Sequence, residues 1–420
     1  MGVMRRLARM RGDDELRVAL VGAGMVGHNL TYQINYTPGM RTALIVNRTP
    51  ANAVDAYRRA GFEAQDIVVS DDPDVLSKAI QAARPAVTTS VEAMCAVDDV
   101  EIVMECSGSA DFGTYITRTA LEAGLDVVTM NAEADATVGY LLKTIAEEND
   151  AVYTLADGDQ PGVLARLIEF VSSSGFEVVS AVNCKGFLDR HATPESIKEW
   201  SVKQGTSLPM TTSFTDGSKI NIEQANVANA FNLRPEVRGM HGIKSTLATV
   251  TEDMVAALDG HGTVEYTIGG DFAGGVFVVG YAKNPELVQP VLRYLKMGEG
   301  PYYTFYRPWH LVHIEAPLSI AEVYLDREPT IQPAGPFVTD VVAIAKKDLE
   351  PGDMLDGIGG WTSYGEVDTV ANAAGFLPMG MTEHARITKP VSMDEPIPLD
   401  SVEVDESTPI VKARREQDTL

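Results

Sequence analysis

A run of closely spaced glycines directly after an apolar segment constrains this chain more than any other feature of its sequence. The segment LRVALV predicts a buried strand, and GAGMVG follows at once, leading into a helical apolar pattern. Gly22, Gly24 and Gly27 have the spacing of the turn at which a parallel α/β sheet binds the pyrophosphate of a dinucleotide. The phosphates would lie on the N-terminus of the next helix, and Met25 and Val26 in the same turn are also expected to contact the cofactor. The sequence therefore predicts a Rossmann-type, doubly wound parallel sheet, and a merely tight turn is the weaker alternative.

The residues after the second predicted strand bear on which dinucleotide binds. An NAD-binding domain usually has an acidic residue there, about twenty residues beyond the glycines, to hold the ribose 2′-hydroxyl. This chain has Asn47, Arg48 and Thr49 at that place. Loss of the acid removes repulsion, and a guanidinium beside a hydroxyl can bind a 2′-phosphate. We therefore expect NADP(H) in preference to NAD(H), although Arg48 also fits an ordinary solvated loop.

Polar residues follow the later strands of the same predicted sheet. They come where three further strands end, and they are Ser107, Gly108, Asn131, Glu133, Asp157 and Asp159. Because the carboxyl ends of parallel strands face one crevice, we expect these residues to converge there, with Ser107 and Gly108 on the cofactor. Cys106 is expected to be a packed thiol, since no histidine follows at a telling place.

The two aspartates in ADGDQPG have two possible explanations. Asp is a good helix N-cap and Asp-Gly is typical of turns, so a solvated cap before the next helix is the simpler one. Convergence with Asn131 and Glu133 at a cofactor crevice favours instead a metal or substrate site. Both explanations stay open on these residues alone.

The middle of the chain carries a second group of polar residues. FEVVSAVNCK predicts a strand ending at Lys185, ATPESIKEW predicts a helix capped by Thr193, and SKINIE predicts another strand. The last of these strands and the helix after it would present a polar row made of Lys219, Asn221, Glu223, Asn226 and Asn229. Such a row suits a polyhydroxylated or anionic substrate, and a solvated sheet edge is the alternative.

The last third of the chain contains a pair of histidines that could belong to a site, followed by a module in which no residue looks catalytic. Pro308 predicts a helix start that places His310 and His313 on one face, for which we favour packing or an interface over zinc binding. Short segments between Pro, Gly and Asp turns predict a small β-rich module, and STPIVKARREQDTL predicts a frayed tail. The expected domains are a Rossmann domain, a central α+β catalytic and dimerisation domain and a β-rich domain, at residues 1–155, 156–330 and 331–420.

Composition limits the class of protein. The 420 residues are 45% hydrophobic and 22% charged, as in an ordinary soluble globular protein of two or three domains. A formal net charge of −25 argues against binding nucleic acid or an anionic membrane surface. The three scattered cysteines and the lack of a signal or transmembrane pattern favour the cytoplasm. We expect a homodimer that acts on a small molecule.

Several motifs are similar to those of known families. The segment AKKDLEPGDML resembles a SAF domain, and a homoserine-dehydrogenase-like Rossmann half joined to such a module resembles the reductoisomerase-like oxidoreductases. Three segments also resemble the deoxyxylulose-phosphate reductoisomerase family. They are NAE at 131–133, similar to its Asn-Lys-Glu; DGD at 157–159, similar to its Asp-Ser-Glu metal turn; and GSKINIEQANVANA, similar to its GxKIxxDSAxxxNK.

This resemblance implies a site and a reaction. Asp157 and Asp159 would hold a divalent cation, Mg or Mn, and the other implied site residues are Asn131, Glu133, Lys219, Gln224 and Asn229. The chain departs from the family at Ala132, Ala230 and Leu233, and the candidates to replace the missing groups are Lys185, Lys203 and Glu223. The implied reaction is NADPH-dependent conversion of 1-deoxy-D-xylulose 5-phosphate into 2-C-methyl-D-erythritol 4-phosphate.

Two alternatives remain open. One is a homoserine-type, polyol or sugar-acid dehydrogenase without metal, in which a lysine assists proton transfer and the aspartates bind substrate hydroxyls. The other is a non-catalytic sensor that binds a dinucleotide and contacts a partner through the SAF-like module. The polar row counts against the sensor, since a sensor needs no such row.

Overall fold

A computed structural model describes residues 2–12, 14–269, 271–272 and 274–420. The strands in this part of the chain are β1 (Leu16–Val21), β2 (Met40–Val46), β3 (Val68–Val69), β4 (Ala86–Thr88), β5 (Ile102–Glu105), β6 (Val127–Thr129), β7 (Tyr153–Leu155), β8 (Phe176–Lys185), β9 (Ile243–Lys244), β10 (Thr263–Ile268), β11 (Val276–Ala282), β12 (Tyr302–Arg307), β13 (Thr339–Ala345), β14 (Met354–Asp356), β15 (Ser363–Thr369), β16 (Glu383–Ile387) and β17 (Val402–Glu403).

The helices of the same residues precede, connect and follow these strands. They are α1 (Val3–Arg11), α2 (Met25–Tyr36), α3 (Pro50–Arg59), α4 (Pro73–Gln81), α5 (Val91–Cys95), α6 (Ala110–Glu122), α7 (Ala132–Glu148), α8 (Gln160–Ser173), α9 (Lys198–Gln204), α10 (Leu208–Asp216), α11 (Ser218–Phe231), α12 (Val250–Ala257), α13 (Pro285–Tyr294), α14 (Val312–Asp326), α15 (Val370–Ala373) and α16 (Pro409–Gln417). Among the described residues, no helix is long and apolar enough to cross a membrane.

The chain divides into two compact units. The first unit contains Met1–Asp159, Leu311–Gln332 and Lys412–Leu420, and the second contains Gln160–His310 and Pro333–Val411. The division into three domains at the predicted boundaries stays a prediction.

The first unit is built on a parallel sheet with the strand order β3-β4-β2-β1-β5-β6-β7. The strand order reverses between β1 and β5, which is the switch point where open α/β sheets bind ligands. Glu105 pairs with Val21 on one side and with Thr129 on the other, and Thr129 pairs with Leu155. The ends of four strands are thus in register, so the residues that follow them share one edge. This sheet confirms the predicted doubly wound α/β domain.

The strands of the first unit have continuous apolar sequences because they lie in its core. Leu20 in β1, Ile45 in β2 and Ile102 in β5 are all 0% exposed, because helices cover both faces of the sheet. Ile320 of α14 is buried in the same cluster. Burial of each such side chain contributes about 1.5–3 kcal/mol to stability.

The second unit contains a mixed sheet with the order β12-β11-β8-β10-β9. β10 runs parallel to both β8 and β9, and Ile268 pairs with Lys185 and with Lys244. Lys185 and Lys244 therefore lie on either side of Ile268, at the carboxyl edge of this sheet. Strands β13 to β17 form two small antiparallel sheets, which agrees with the predicted β-rich region after residue 330. Its assignment as a SAF domain stays a prediction.

The predicted strand SKINIE is wrong, because these residues open helix α11. Ile220 and Ile222 alternate with polar residues, as apolar residues do in a half-buried strand. So short a segment does not distinguish a strand from a helix. The helix is buried on nearly every side, so its polar residues do not form one solvent-facing row. Lys219, Asn221 and Glu223 therefore do not share a face as predicted.

Three further predictions of local structure are wrong. The predicted helix from Thr193 begins only at Lys198, as α9, after a series of turns. His310 precedes α14, which begins at Val312, so His310 and His313 do not share a helical face. The predicted frayed tail forms α16, where Gln417 accepts a hydrogen bond from the backbone N–H of Leu141 at 2.9 Å. Anchoring of this kind orders a terminus that its sequence alone leaves unspecified.

Candidate functional site

The glycine turn after β1 has the geometry that a dinucleotide needs. Gly22 adopts a φ of 102°, and a β-carbon on Gly27 would lie 2.0 Å from the Gly22 carbonyl oxygen. These two glycines are therefore required by the chain itself. A β-carbon on Gly24 would meet nothing within 4 Å, so the space beside it is open. Gly24 is the N-cap of α2, where free N–H groups favour a phosphate, and Met25 begins the helix, followed by Val26.

Asn47 connects this turn to the end of β2. Its Oδ1 accepts a hydrogen bond from the backbone N–H of Ala23 at 2.9 Å, and its Nδ2 donates to the carbonyl of Thr49 at 2.8 Å. Arg48 is exposed and makes no ion pair with any described residue. The side chain of Thr49 does not cap α3, so its hydroxyl is available to a ligand. The segment can thus present a cation and a hydroxyl next to the glycine turn.

The loop after β5 contains the thiol of Cys106 and the hydroxyl of Ser107. The Sγ of Cys106 donates to the carbonyl oxygens of Val21 and Gly22, and burial raises the pKa of this thiol well above its usual range. Cys106 is therefore a packed thiol, as expected. The buried hydroxyl of Ser107 interacts with the carboxylate of Glu105. Gly108, with a φ of 74°, turns the loop beside it, and contact of these two residues with the cofactor stays a prediction.

Asn131 has a structural role at the end of β6. Its Oδ1 accepts from the backbone N–H of Ala134 at 3.1 Å, which caps α7, and its Nδ2 donates to the carbonyl of Ser109 at 2.8 Å. Both amide atoms are thus engaged within the first unit. Glu133 lies half-buried in the first turn of α7. Catalytic roles for Asn131 and Glu133 stay predictions.

The turn between β7 and α8 places two carboxylates at the same edge of the sheet. The backbone N–H of Asp157 donates to the Oγ of Ser319 at 2.7 Å, and the buried Asp157 carboxylate accepts from the N–H of Gly158 at 2.9 Å. Asp159 is half-buried and directly precedes α8. Gly158 has a φ of 88°, and a β-carbon there would lie 2.5 Å from the carbonyl oxygen of Val312. The turn therefore holds Asp157 in a defined position.

Carboxylate oxygens of this kind are the donors that magnesium and manganese prefer. Within the described residues, no group of three or more His, Cys, Asp or Glu side chains is placed to hold a metal ion. A cation on Asp157 and Asp159 would take its other ligands from water or substrate oxygens. Metal binding by this pair stays a prediction.

The predicted site residues of the second unit lie on β8 and α11. The side chain of Gln224 donates to the carbonyl of Ala181 at 3.2 Å, and Asn229 accepts from the N–H groups of Val338 and Thr339 at 2.9 and 3.0 Å. These two amides therefore hold strands and the segment before β13 against the helix. Among the lysines, Lys185 ends β8 with its Nζ 5.7 Å from the ring centre of Phe214, and Lys219 lies half-buried in the first turn of α11. Catalytic roles for these residues stay predictions.

A histidine held by a buried glutamate is a candidate that the sequence reasoning missed. Glu265 is 1% exposed, and its carboxylate accepts from the backbone N–H of His241 at 2.9 Å, from His241 Nδ1 at 3.0 Å and from the N–H of Gly242 at 3.0 Å. The side chain of His241 itself is about one-third exposed. A carboxylate that binds Nδ1 leaves Nε2 to exchange protons, which is how general acid–base histidines are oriented. No local pattern around His241 indicates this partner, because Glu265 lies 24 residues later, on β10.

A cleft of about 480 Å³ opens in the second unit near the carboxyl edge of its mixed sheet. Its lining residues are Gly186, Lys244, Ser245, Thr246, Thr249, Asp253, Ile268 and Gly269. Hydrogen bonds from the Ser245 and Thr249 hydroxyls hold the pKa of Asp253 below its usual value. Lys244 is exposed and has no ion-pair partner in the described ranges. Hydroxyls, a carboxylate and one cation suit a small polar ligand.

Comparisons with known proteins agree with these features. Residues 22–155 match the family described as "Homoserine dehydrogenase, NAD binding domain", and residues 158–316 match "Oxidoreductase DRL, catalytic domain". No curated protein matches the sequence.

Two solved structures to which the chain is similar have a low sequence identity to it. A probable dehydrogenase from Thermotoga maritima is 10% identical with a TM-score of 0.45, covering 76% of this chain and 91% of its own. A myo-inositol dehydrogenase from Corynebacterium glutamicum ATCC 13032 is 11% identical with a TM-score of 0.40, covering 77% of this chain and 91% of its own. These likenesses decide nothing about the substrate.

The two family matches carry the functional conclusion. One family binds a nicotinamide dinucleotide and the other is catalytic, so the alternative of a non-catalytic sensor is not retained. The chain is therefore an NAD(P)-dependent oxidoreductase, in which an NAD-binding Rossmann domain is followed by a DRL catalytic domain.

Proposed function

We propose that the protein uses NADPH to reduce a small sugar-derived substrate, and specifically that it converts 1-deoxy-D-xylulose 5-phosphate into 2-C-methyl-D-erythritol 4-phosphate. The observation that carries the proposal is one of position. The carboxylates of Asp157 and Asp159 lie at the same edge of the first unit's sheet as the glycine turn. The three motifs that resemble the reductoisomerase family support it. The proposal includes a cytoplasmic homodimer, as expected from the sequence.

The preference for NADPH rests on the end of β2. Asn47 is bound to the glycine turn and carries no charge to repel a 2′-phosphate. The exposed Arg48 can offer two N–H donors to that phosphate, and the Thr49 hydroxyl can add a third.

The chemistry assigns distinct tasks to this chain's residues. In this reaction the ketose skeleton would rearrange to a branched aldehyde, and NADPH would supply the hydride that reduces the aldehyde carbon while its oxygen gains a proton. Lys185 or Lys219 would bind the phosphate or stabilise negative charge that develops on oxygen. When bound, a divalent cation would polarise the substrate carbonyl. Asp157 and Asp159 would hold that cation and fix the substrate oxygens beside it.

The second candidate is a polyol or sugar-acid dehydrogenase that needs no metal. The observation that favours it is the pair of His241 and Glu265, because a histidine oriented by a carboxylate can take the proton of an alcohol without a cation. The hydroxyl-lined cleft of the second unit would also suit a polyol. In this case NADP⁺ would supply the hydride acceptor, and His241 would be the base that takes a proton from the alcohol.

One set of assays separates the two candidates. The purified protein is given 1-deoxy-D-xylulose 5-phosphate with NADPH, and a panel of polyols with NADP⁺, each with and without EDTA, and the nicotinamide absorbance is followed. Consumption of NADPH with formation of the methylerythritol phosphate, abolished by EDTA, supports the reductoisomerase. EDTA-resistant oxidation of a polyol, with no turnover of the ketose phosphate, contradicts it and supports the dehydrogenase.

A further inference from the structure

A glutamate without a counter-ion is buried at the switch point of the first unit's sheet. Glu105 is the last residue of β5 and is 0% exposed, and no described residue forms an ion pair with it. Burial raises the pKa of this carboxyl, although hydrogen bonds from Ser107 and Thr129 oppose the rise. Placing such a group in a core is costly, so its hydrogen bonds must compensate for the lost hydration.

The hydrogen bonds of Glu105 reach two different loops. One carboxylate oxygen, Oε1, accepts from the backbone N–H of Ser107 at 2.7 Å, and the other, Oε2, accepts from the Thr129 hydroxyl at 2.7 Å. Ser107 belongs to the loop after β5, and Thr129 ends β6. A carboxylate suits this place because it offers acceptors in two directions at once.

These bonds close into a ring. The Oγ1 of Thr129 accepts from the backbone N–H of Asn131 at 2.9 Å, and Asn131 Nδ2 donates to the carbonyl of Ser109 at 2.8 Å. Ser109 lies two residues beyond Ser107, so the circuit returns to the loop where it began. The ring also fixes the starts of two helices, since Ser109 Oγ caps α6 and Asn131 Oδ1 caps α7.

We propose that Glu105 is a positioning residue for the nicotinamide half of the cofactor, acting through Ser107 and Asn131. The ring sets the separation of the loops after β5 and β6, which follow register-aligned strand ends beside the switch point. Glu105 accepts a hydrogen bond from the backbone N–H of Ser107 and also interacts with its side-chain hydroxyl, so the position of this residue depends on the carboxylate. This role depends on the nicotinamide-dependent reaction alone and is separate from the choice of substrate.

Binding measurements with and without the nicotinamide ring test the proposal. The ligands are NADPH and 2′-phospho-ADP-ribose, and also NADH and ADP-ribose, each titrated calorimetrically into the purified full-length chain. The variants are Glu105→Gln, which keeps an acceptor for Ser107 but presents an amide N–H₂ to Thr129, and Thr129→Val, which deletes the hydroxyl. Thr129→Ser restores the hydroxyl as the conservative control. Glu101→Gln is the matched control before the same strand, where Glu101 pairs with Arg11 instead.

We expect the variants to lose affinity for the whole cofactor but not for the fragment that lacks the nicotinamide ring. Glu105→Gln and Thr129→Val should each bind the intact dinucleotide about tenfold more weakly, because a buried polar group loses its partner. Both should bind the fragment without nicotinamide as the wild type does, and Thr129→Ser and Glu101→Gln should match the wild type with every ligand. An equal loss for dinucleotide and fragment, or no loss in folded protein, overturns the proposal. If Glu105→Gln does not fold, the same comparison made with Thr129→Val decides between these outcomes.

Discussion

The side-chain amide of Asn131 occupies the place that a β-carbon on Gly113 would fill. That carbon would lie 2.2 Å from Asn131 Nδ2, so helix α6 must have a glycine there for the amide to reach the Ser109 carbonyl. The backbone of one helix thereby sets the position of the residue that caps the next. Small changes in α6 should consequently be transmitted to the loop after β6.

The variant Gly113→Ala should therefore be destabilising beyond any change in helix propensity. We expect a loss of about 1–3 kcal/mol, as for other overpacked sites. In an Asn131→Ala background the same change should cost much less, because the clashing amide is gone. Urea unfolding of the two single variants and the double variant measures this coupling. Strictly additive effects would contradict the contact.

Gly24→Ala should separate cofactor binding from folding. The added β-carbon meets nothing in the chain, so the midpoint of unfolding should stay close to that of the wild type. Affinity for NADPH should fall at least about tenfold, since the carbon occupies the space through which the pyrophosphate approaches. Gly27→Ala is the contrasting variant, because its β-carbon would overlap the Gly22 carbonyl and should destabilise the fold itself. Normal cofactor affinity in Gly24→Ala would show that the phosphates lie elsewhere.

Arg48→Ala tests the choice between the two dinucleotides. Removing charge-assisted hydrogen bonds to a 2′-phosphate should weaken NADPH binding by about tenfold to a hundredfold and leave NADH binding nearly unchanged. Arg58→Ala, an exposed cation near the end of α3, is the control and should affect neither ligand. Equal losses for NADPH and NADH, or none, would show that Arg48 does not select the cofactor.

The first unit was predictable because its signals are local. A strand, a glycine turn and a helix follow one another directly between Leu16 and Tyr36, and parallel pairing then brings the strand ends into register. The second unit was less predictable because its contacts are long-range. Helix α11 is stabilised by side-chain bonds to distant backbone, such as that of Asn229 to Val338, and nothing within the helix sequence announces those partners.

The site residues show the same contrast between pattern and partner. Position after a strand was enough to locate Asn131 and Asp157 at one edge of the sheet. Position in the sequence could not show that the side-chain amide of Asn131 forms hydrogen bonds with Ser109 and Ala134. The pairing of His241 with Glu265 joins a loop to a strand more than twenty residues later, so it becomes visible only in three dimensions.

A buried aspartate in the first unit should make stability depend on pH. Burial raises the pKa of Asp135 to about 7, although the Tyr153 hydroxyl donates to its Oδ1 at 2.8 Å. The folded state thus holds a proton that the unfolded state releases at the lower, ordinary pKa. This contribution to stability is fully present below that lower pKa and is lost as pH rises through about 7.

Asp135→Asn should remove this dependence, since an amide can accept the same bond without ionising. Urea midpoints of the wild type should fall between pH 5 and pH 8 by more than those of the variant, where each unit of pKa shift corresponds to about 1.4 kcal/mol. Parallel pH profiles for the two proteins would mean that Asp135 does not titrate in this range.

Asp159→Asn distinguishes a functional carboxylate from a helix cap. Asn caps a helix about as well as Asp does, so the free energy of unfolding should change by less than about 1 kcal/mol, and the melting temperature should change little. Turnover should nevertheless fall by about two orders of magnitude or more, because a neutral amide is a much poorer ligand for a hard cation than a carboxylate. Excess Mg²⁺ or Mn²⁺ should restore part of the rate, and EDTA should abolish the activity of the wild type. A variant that is fully active without added metal would leave the two aspartates of this turn with a structural role alone.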